Sequence, residues 1–266
     1  MSNLLEHLKT QVLLCDGAMG TQVQVRDLDI DSDFMGKENC TEVLNLSRPD
    51  VVRDIHTDYL KAGSDLIQTN TFGGSPLTLA EFDLEDQAFE INRLAGELAH
   101  EAIDGLGPDS KPRFVMGAIG PGTRLPSLGH IDYAALETAL TVQCEGLAAG
   151  RVDAFLIETC QDTLQIKAAV NGAKKARLAS GRDIPIFVQV TVETTGTLLV
   201  GSDIAAAATS LHALGIDSLG LNCATGPQEM GEHVKWLSEN WPGFISVQPN
   251  AGLPELVDGH THYPLG

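Results

Sequence analysis

Short apolar runs alternate with longer amphipathic segments along the whole chain. The runs occupy residues 12–15, 65–69, 114–119, 154–157, 186–190, 218–221 and 244–247. In the segments between most of them, apolar residues recur every three or four positions, which is typical of one face of an α-helix. Seven strands alternating with six helices predict a parallel α/β fold.

Polar or small residues (Gly, Asn, Thr, Glu or Cys) follow each predicted strand. In a doubly wound sheet, ligands gather only at one switch point. In a (β/α)8 barrel, the C-terminal end of every strand faces the same mouth. The pattern therefore favours a TIM-type (β/α)8 barrel over the doubly wound alternative.

A complete barrel needs eight strands, and the pattern predicts seven. Only residues 248–266 follow the seventh predicted strand, and prolines and glycines interrupt them. We therefore expect residues 1–266 to form one barrel domain that is truncated after its seventh strand. Such a barrel exposes unpaired strand edges and part of its core, so we also expect the chain to self-associate.

Charge and hydropathy exclude two classes of partner. The chain has 36 acidic and 17 basic residues and a net charge of −19, which would repel a phosphate backbone, so we expect no nucleic-acid binding. It has no apolar run of about 18 residues, so we expect no membrane span. Its N-terminus does not resemble a secretory signal, and we expect a cytoplasmic location.

The cysteines argue against a disulfide framework. Five are present, at irregular and wide spacing: Cys15, Cys40, Cys144, Cys160 and Cys223. No Cys-x-x-Cys motif occurs, so any metal ligands must come from distant segments. A lone cysteine at the end of a strand, such as Cys223, is more often a small buried apolar residue than a ligand.

Two acidic residues follow predicted strands and suggest a site for an amino acid. Asp16 is followed by the small or flexible residues Gly17, Ala18, Met19 and Gly20. Backbone N–H groups in such a segment can hold a carboxylate, although a tight turn with a capping Asp remains an alternative. Asp16 and Glu158, which follows the fourth strand, could together bind one ammonium group.

Several motifs in order resemble the homocysteine S-methyltransferase family over essentially the whole chain. They are Asp-Gly-Ala-Met-Gly-Thr at 16–21, Glu-Asn-Cys-Thr-Glu at 38–42, Asn-Leu-Ser-Arg-Pro at 45–49, Gln-Thr-Asn-Thr-Phe-Gly at 68–73, Gly-Ala-Ile-Gly-Pro at 117–121, Glu-Thr at 158–159, Gly-Leu-Asn-Cys at 220–223 and Pro-Asn-Ala-Gly-Leu-Pro at 249–254. The segments at 38–40 and 125–130 most resemble the cobalamin-dependent methionine synthases. The betaine-dependent and S-methylmethionine-dependent enzymes are the alternatives.

The resemblance implies zinc-dependent methyl transfer to the thiol of homocysteine. In the family, three cysteine thiolates hold Zn²⁺, which deprotonates the homocysteine thiol. The implied methyl donor is methylcobalamin held by another domain or protein, so corrinoid- and folate-binding domains are implied partners.

The resemblance also implies roles for particular residues. Cys223 matches the first zinc ligand, and Asp16 and Glu158 match the groups that hold the homocysteine ammonium. The loop Gly17, Ala18, Met19 and Gly20 matches the cradle of the homocysteine carboxylate. Three further residues match the framework of the pocket: Asn70, Thr71 and Asn222.

The sequence departs from the family in its metal ligands. The family's other two ligands are adjacent cysteines in a Gly-Gly-Cys-Cys-Gly segment, and no Cys-Cys pair occurs in these 266 residues. A fragment of a longer protein, a chain completed by a partner, and an inactive binding module all remain open. We do not expect His260 and His262 to replace the missing thiolates, because they lie in a segment rich in Pro and Gly.

Overall fold

Six parallel strands form one sheet that curls into a half-barrel. The computed structural model describes residues 4–107, 111–253, 255–257 and 260–262. Within these residues, each strand lies beside the next one in the chain. The strands are β1 (Leu66–Gln68), β2 (Phe114–Ile119), β3 (Ala154–Cys160), β4 (Ile186–Val190), β5 (Ser218–Asn222) and β6 (Phe244–Gln248).

Helices connect the strands, as the sequence pattern predicts. The α-helices are α1 (Leu4–Leu8), α2 (Met19–Gln24), α3 (Leu44–Ser47), α4 (Pro49–Ala62), α5 (Pro76–Leu79), α6 (Ala88–Asp104), α7 (Tyr133–Ala149), α8 (Thr163–Ser180), α9 (Ile204–His212) and α10 (Pro227–Asn240). Short 3-10 turns occupy Thr41–Val43, Ala80–Phe82, Glu85–Gln87 and Pro126–Leu128. None of the described helices is long and apolar enough to cross a lipid bilayer.

Local sequence signals explain where several helices begin and end. The carboxylate of Asp132 accepts hydrogen bonds from the N–H groups of Ala134 and Ala135 and so caps α7. Asp162 caps α8 by the same kind of bond. Gly63 ends α4 with a φ of 118°, a backbone conformation that favours glycine.

The prediction of a regular strand at residues 12–15 is wrong. Cys15 makes a single parallel bridge to Leu66, and the Leu14 carbonyl accepts from the N–H groups of Asp65 and Leu66. Val12 is 96% exposed and Leu14 is 59% exposed. The apolar run therefore lies beside β1, but it makes only one bridge to it and its exposed side chains do not pack as those of a regular strand would.

The segment after β6 is more ordered than its prolines and glycines indicate. Two short strands, β7 (Glu255–Val257) and β8 (His260–His262), pair antiparallel with each other in a separate sheet. They do not join the parallel sheet. The parallel α/β architecture is thus confirmed, whereas truncation of a barrel after a seventh strand remains a prediction.

The alternation of residues along the strands separates two apolar layers. Phe155 and Ile157 pack outward against the helices, in the large core between sheet and helices. Leu156 packs in a smaller inner cluster with Met116 and Phe187. Because successive side chains point to opposite faces of a strand, the residue after Ile157, Glu158, shares the inner face with Leu156.

Candidate active site

One cavity of about 1010 Å³ lies on the inner face of the half-barrel and reaches the C-terminal ends of the strands. All ten residues that the sequence analysis predicts for the site line it: Asp16, Gly17, Ala18, Met19, Gly20, Asn70, Thr71, Glu158, Asn222 and Cys223. Its volume is at the upper end of the range typical of small-molecule sites. The fold therefore brings together residues from four separate segments of the chain.

Asp16 is a buried carboxylate held in place by β1. Its own N–H donates to the Leu66 carbonyl over 2.9 Å. The Asp16 carboxylate accepts from the N–H of Gln68 (2.8 Å) and from Gln68 Nε2 (3.2 Å). Burial raises the pKa of Asp16 to about 7, and the two hydrogen bonds from Gln68 oppose that rise.

Glu158 is the second carboxylate of the cavity, and it lies near the end of β3. Burial and, to a smaller extent, the negative charge of Asp16 together raise the pKa of Glu158 to about 8. The two carboxylates thus repel each other in a poorly hydrated space. A cation bound between them would remove this repulsion and lower both pKa values.

The segment that begins at Gly17 turns into α2. Ala18 is the N-cap of α2, and its side chain caps none of the first-turn N–H groups of the helix. A Cβ at Gly17 would lie 2.9 Å from the hydroxyl oxygen of Tyr59. That hydroxyl donates to the Ala18 carbonyl over 3.1 Å, so glycine is needed for the close approach.

Asn70 and Thr71 are buried in the loop after β1, and their side chains bond to the protein itself. Asn70 Nδ2 donates to the carbonyl of Thr41 over 2.7 Å. Thr71 Oγ1 donates to the carbonyl of Ala118 over 2.7 Å. Both residues therefore connect the cavity wall to neighbouring loops and strands.

Asn222 ends β5 beside Glu158, and Cys223 follows it directly. Asn222 Nδ2 lies 3.3 Å from Glu158 Oε2 and 3.5 Å from Cys223 Sγ. Burial raises the pKa of the Cys223 thiol, the charge of Glu158 adds to the rise, and a hydrogen bond with Thr159 lowers it. The thiol thus lies at the same end of the cavity as one of the two carboxylates.

The described residues do not form a metal centre by themselves. Among them, no group of three or more His, Cys, Asp or Glu side chains is arranged to hold a metal ion. Cys40, Cys144 and Cys160 are buried, and all five cysteines are free thiols. The side chains of His260 and His262 lie outside the described part of the structure, so the prediction that they do not replace thiolates is untested.

Several polar residues that line the cavity were not predicted from the sequence, among them Glu42 and Gln189. Glu42 is buried, and its carboxylate accepts from the N–H of Gly73 over 2.6 Å. Gln189 is also buried, and its Nε2 donates to Gln248 Oε1 over 2.8 Å. The sequence signal for each residue was its position: Glu42 lies next to an apolar run and Gln189 lies within one, and polar residues are uncommon in buried segments.

Sequence comparisons match almost the whole chain. The family model for homocysteine S-methyltransferase matches residues 13–266. Methionine synthase of Mycobacterium tuberculosis (strain ATCC 25618 / H37Rv) is 48% identical over 264 residues, which cover 99% of this chain and 22% of that protein. Methionine synthase of Mycobacterium leprae (strain TN) matches with the same identity and coverage. The chain thus spans about a fifth of the length of these relatives.

Comparison with solved structures supports the same fold. The metallated form of the homocysteine methyltransferase MmuM from Escherichia coli superposes with a TM-score of 0.78 at 21% sequence identity, over 94% of this chain and 87% of that chain. The oxidized form of the same protein gives a TM-score of 0.76, over 91% and 84% of the two chains. At this identity the likeness concerns the fold alone.

Proposed function

Since this chain belongs to the homocysteine S-methyltransferase family, we propose that it is one domain that binds homocysteine for methyl transfer to the homocysteine thiol. The observation that carries the proposal is the pair of carboxylates, Asp16 and Glu158, at one cavity. Burial disfavours the charged forms of both groups, and the negative charge of Asp16 adds to this effect at Glu158. The ammonium group of an amino acid is a ligand that relieves both penalties at once.

The remaining parts of homocysteine fit the rest of the cavity. The backbone N–H groups of the loop at 17–20, which follows Asp16 directly, would hold the carboxylate of the amino acid. The ammonium group would lie between Asp16 and Glu158. The thiol would then extend toward Cys223, which is next to Asn222 and close to Glu158.

The proposal includes a zinc ion only if further protein ligands are supplied from outside the described residues. Cys223 would supply one thiolate, but the described residues do not provide the set of about three protein ligands that a catalytic zinc site uses. The remaining ligands would come from outside the described residues. The residues of this chain would therefore bind and orient the amino acid.

We propose methylcobalamin as the methyl donor, held by a corrinoid-binding domain or subunit. The support is that the two mycobacterial relatives are named methionine synthase and that this chain covers 22% of each. A folate-binding domain is the second partner that the proposal includes.

Calorimetric titration of this chain with L-homocysteine tests the substrate assignment. We expect Asp16→Asn and Glu158→Gln each to weaken binding by about 10-fold to 100-fold, because one ionic partner of a desolvated ammonium is worth a few kcal/mol. The matched control is Glu101→Gln, a carboxylate that is exposed and lies outside the cavity. This variant should bind L-homocysteine like the wild type.

A second ligand separates the ammonium from the rest of the substrate. The compound 4-mercaptobutyrate keeps the thiol and the carboxylate and lacks the ammonium group. Its binding should be unchanged or tighter in Glu158→Gln, because a buried negative charge without a partner is removed. If wild-type protein does not bind L-homocysteine, or if both ligands respond alike to Glu158→Gln, the assignment is wrong, and an interaction module becomes the better description.

A further inference from the structure

Thr159 has a backbone conformation that is unusual for its residue type. Its φ is 59°, in the left-handed region, where a β-branched side chain is strained. The pairing of β3 with β4 shifts register between Ile157 and Cys160, so Glu158 and Thr159 form a local bulge. Bulges near active sites change the direction in which a side chain points.

Asn222 holds this bulge from a strand that is not adjacent to β3. Its Oδ1 accepts from the Thr159 N–H over 3.0 Å, and its Nδ2 donates to Thr159 Oγ1 over 2.7 Å. Strand β4 lies between β3 and β5, so the Asn222 side chain reaches across the inner face of the sheet. Asn222 is 3% exposed.

A neighbouring residue fixes the orientation of Asn222. Thr191 Oγ1 donates to the backbone carbonyl oxygen of Asn222 over 3.1 Å and lies 3.4 Å from the side-chain oxygen, Asn222 Oδ1. The oxygen end of the amide therefore faces Thr191 and the Thr159 N–H. The nitrogen end faces Glu158 Oε2, Thr159 Oγ1 and Cys223 Sγ.

We propose that Asn222 is a positioning residue: it holds Thr159 in the left-handed conformation and thereby directs Glu158 toward the ammonium group of the substrate. This inference rests on the proposed function for the role of Glu158. Asn222 then acts through the bulge, and it does not have to touch the substrate itself.

The first test needs no ligand. In Asn222→Ala, the Thr159 N–H loses its acceptor, so its hydrogen exchange, resolved by NMR, should become at least about 10-fold faster. The N–H of Leu156, in the regular part of β3, should keep its wild-type rate. Thr191→Val, which removes only the bonds that orient Asn222, should accelerate exchange at Thr159 by a smaller factor. Unchanged exchange at Thr159 in both variants would overturn the proposal.

The second test uses rescue. Glycine adopts a φ near 59° without strain, so Thr159→Gly should preserve the bulge even without the hydrogen bonds from Asn222. We expect Asn222→Ala to bind L-homocysteine about 10-fold more weakly than wild type and Asn222→Ala/Thr159→Gly to recover to within about 3-fold. Asn222→Ala/Thr159→Ala is the matched control, since it lacks the same hydroxyl but keeps the strained conformation, and it should not recover.

The outcomes distinguish this proposal from the proposed function. If Asn222 acts by contacting the substrate directly, or only through its own contact with Glu158 Oε2, Thr159→Gly will not restore affinity in the Asn222→Ala background, and the role through the bulge is refuted. Affinity for 4-mercaptobutyrate should be unaffected by Asn222→Ala, because Glu158 has no ammonium to bind in that ligand. If wild-type protein fails to bind L-homocysteine, the proposed function fails, while exchange at Thr159 still decides whether Asn222 holds the bulge.

Discussion

The negative charge of Asp16 raises the pKa of Glu158, although the two residues come from opposite halves of the chain. Asp16 follows the single bridge at Cys15, and Glu158 lies in a bulge near the end of β3. Each carboxylate has a raised pKa for which burial is the main cause. The cavity is therefore electrostatically unfavourable for two anions and suited to a cation.

Affinity for L-homocysteine should depend on pH because of this pair. With pKa values of about 7 for Asp16 and about 8 for Glu158, both are largely protonated at pH 6 and increasingly ionised above pH 8. The ammonium group binds the ionised forms, so affinity should rise at least about tenfold from pH 6 to pH 8. Calorimetry in buffers of different ionisation enthalpy should show release of about one proton on binding at pH 7. A pH-independent affinity without proton release would contradict this.

The contribution of Glu158 to the stability of the ligand-free protein should fall as pH rises. The folded-state pKa of about 8 lies above the ordinary value of 4.5, so the folded state holds a proton that the unfolded state releases. This stabilisation is present below about pH 4.5 and is lost as pH rises through 8. Glu158→Gln cannot ionise and should be more stable than wild type at pH 8 by on the order of 3 kcal/mol.

Urea unfolding at pH 5 and pH 8 measures this effect. The difference between Glu158→Gln and wild type should be large at pH 8 and small at pH 5. The control variant Glu101→Gln removes an exposed carboxylate paired with Arg53, which contributes little at either pH. An equal difference at both pH values would mean that Glu158 does not titrate in this range.

His56 should make the protein sensitive to acid. It is fully buried in α4, and among the described residues neither of its ring nitrogens has a hydrogen-bond partner. Burial lowers the pKa of His56 to about 4, so the unfolded state binds a proton first as pH falls below about 6.5. The resulting loss of stability is about 2 kcal/mol at pH 5.

His56→Leu should remove that loss and stabilise the protein at neutral pH. It replaces two unpartnered polar nitrogens with an apolar side chain of similar size, which should add about 1 to 3 kcal/mol at pH 7. Urea unfolding at pH 7 and pH 5 would show whether the variant loses less stability than wild type between these values. A variant that is less stable than wild type at pH 7 would indicate that His56 has a partner in solution.

The two apolar edges of the half-barrel should cause self-association. Ile245 and Val247 on β6 are 36% and 41% exposed, and Val12 and Leu14 are exposed beside β1. Light scattering of this chain at tens of micromolar should detect oligomers, and Ile245→Lys should reduce them, since a charge on an edge strand opposes pairing. Leu178→Lys, at an 85% exposed position on α8, is the control and should not change the oligomers. A monomeric wild type would refute the prediction.

The alternating pattern was sufficient for the order of six of the seven predicted strands and of the helices between them, because a period of 2 or of 3.6 is a local property of the chain. The helix capped by Asp132 and the helix ended by Gly63 were predictable for the same reason. The motifs around Asp16, Glu158 and Cys223 predicted residues that line one cavity, since residues that follow parallel strands converge at one end of a sheet.

Only the tertiary structure decided how these residues interact. The bridge at Cys15 and the exposed edge at β6 depend on which neighbours each segment has in space. The raised pKa values depend on burial and on a charge from a distant segment. The bond from Thr159 to Asn222 crosses an intervening strand, and no local pattern records it. Sequence by itself determined which groups are present and on which elements, whereas their distances, and hence their electrostatics and strain, arise only when the sheet curls.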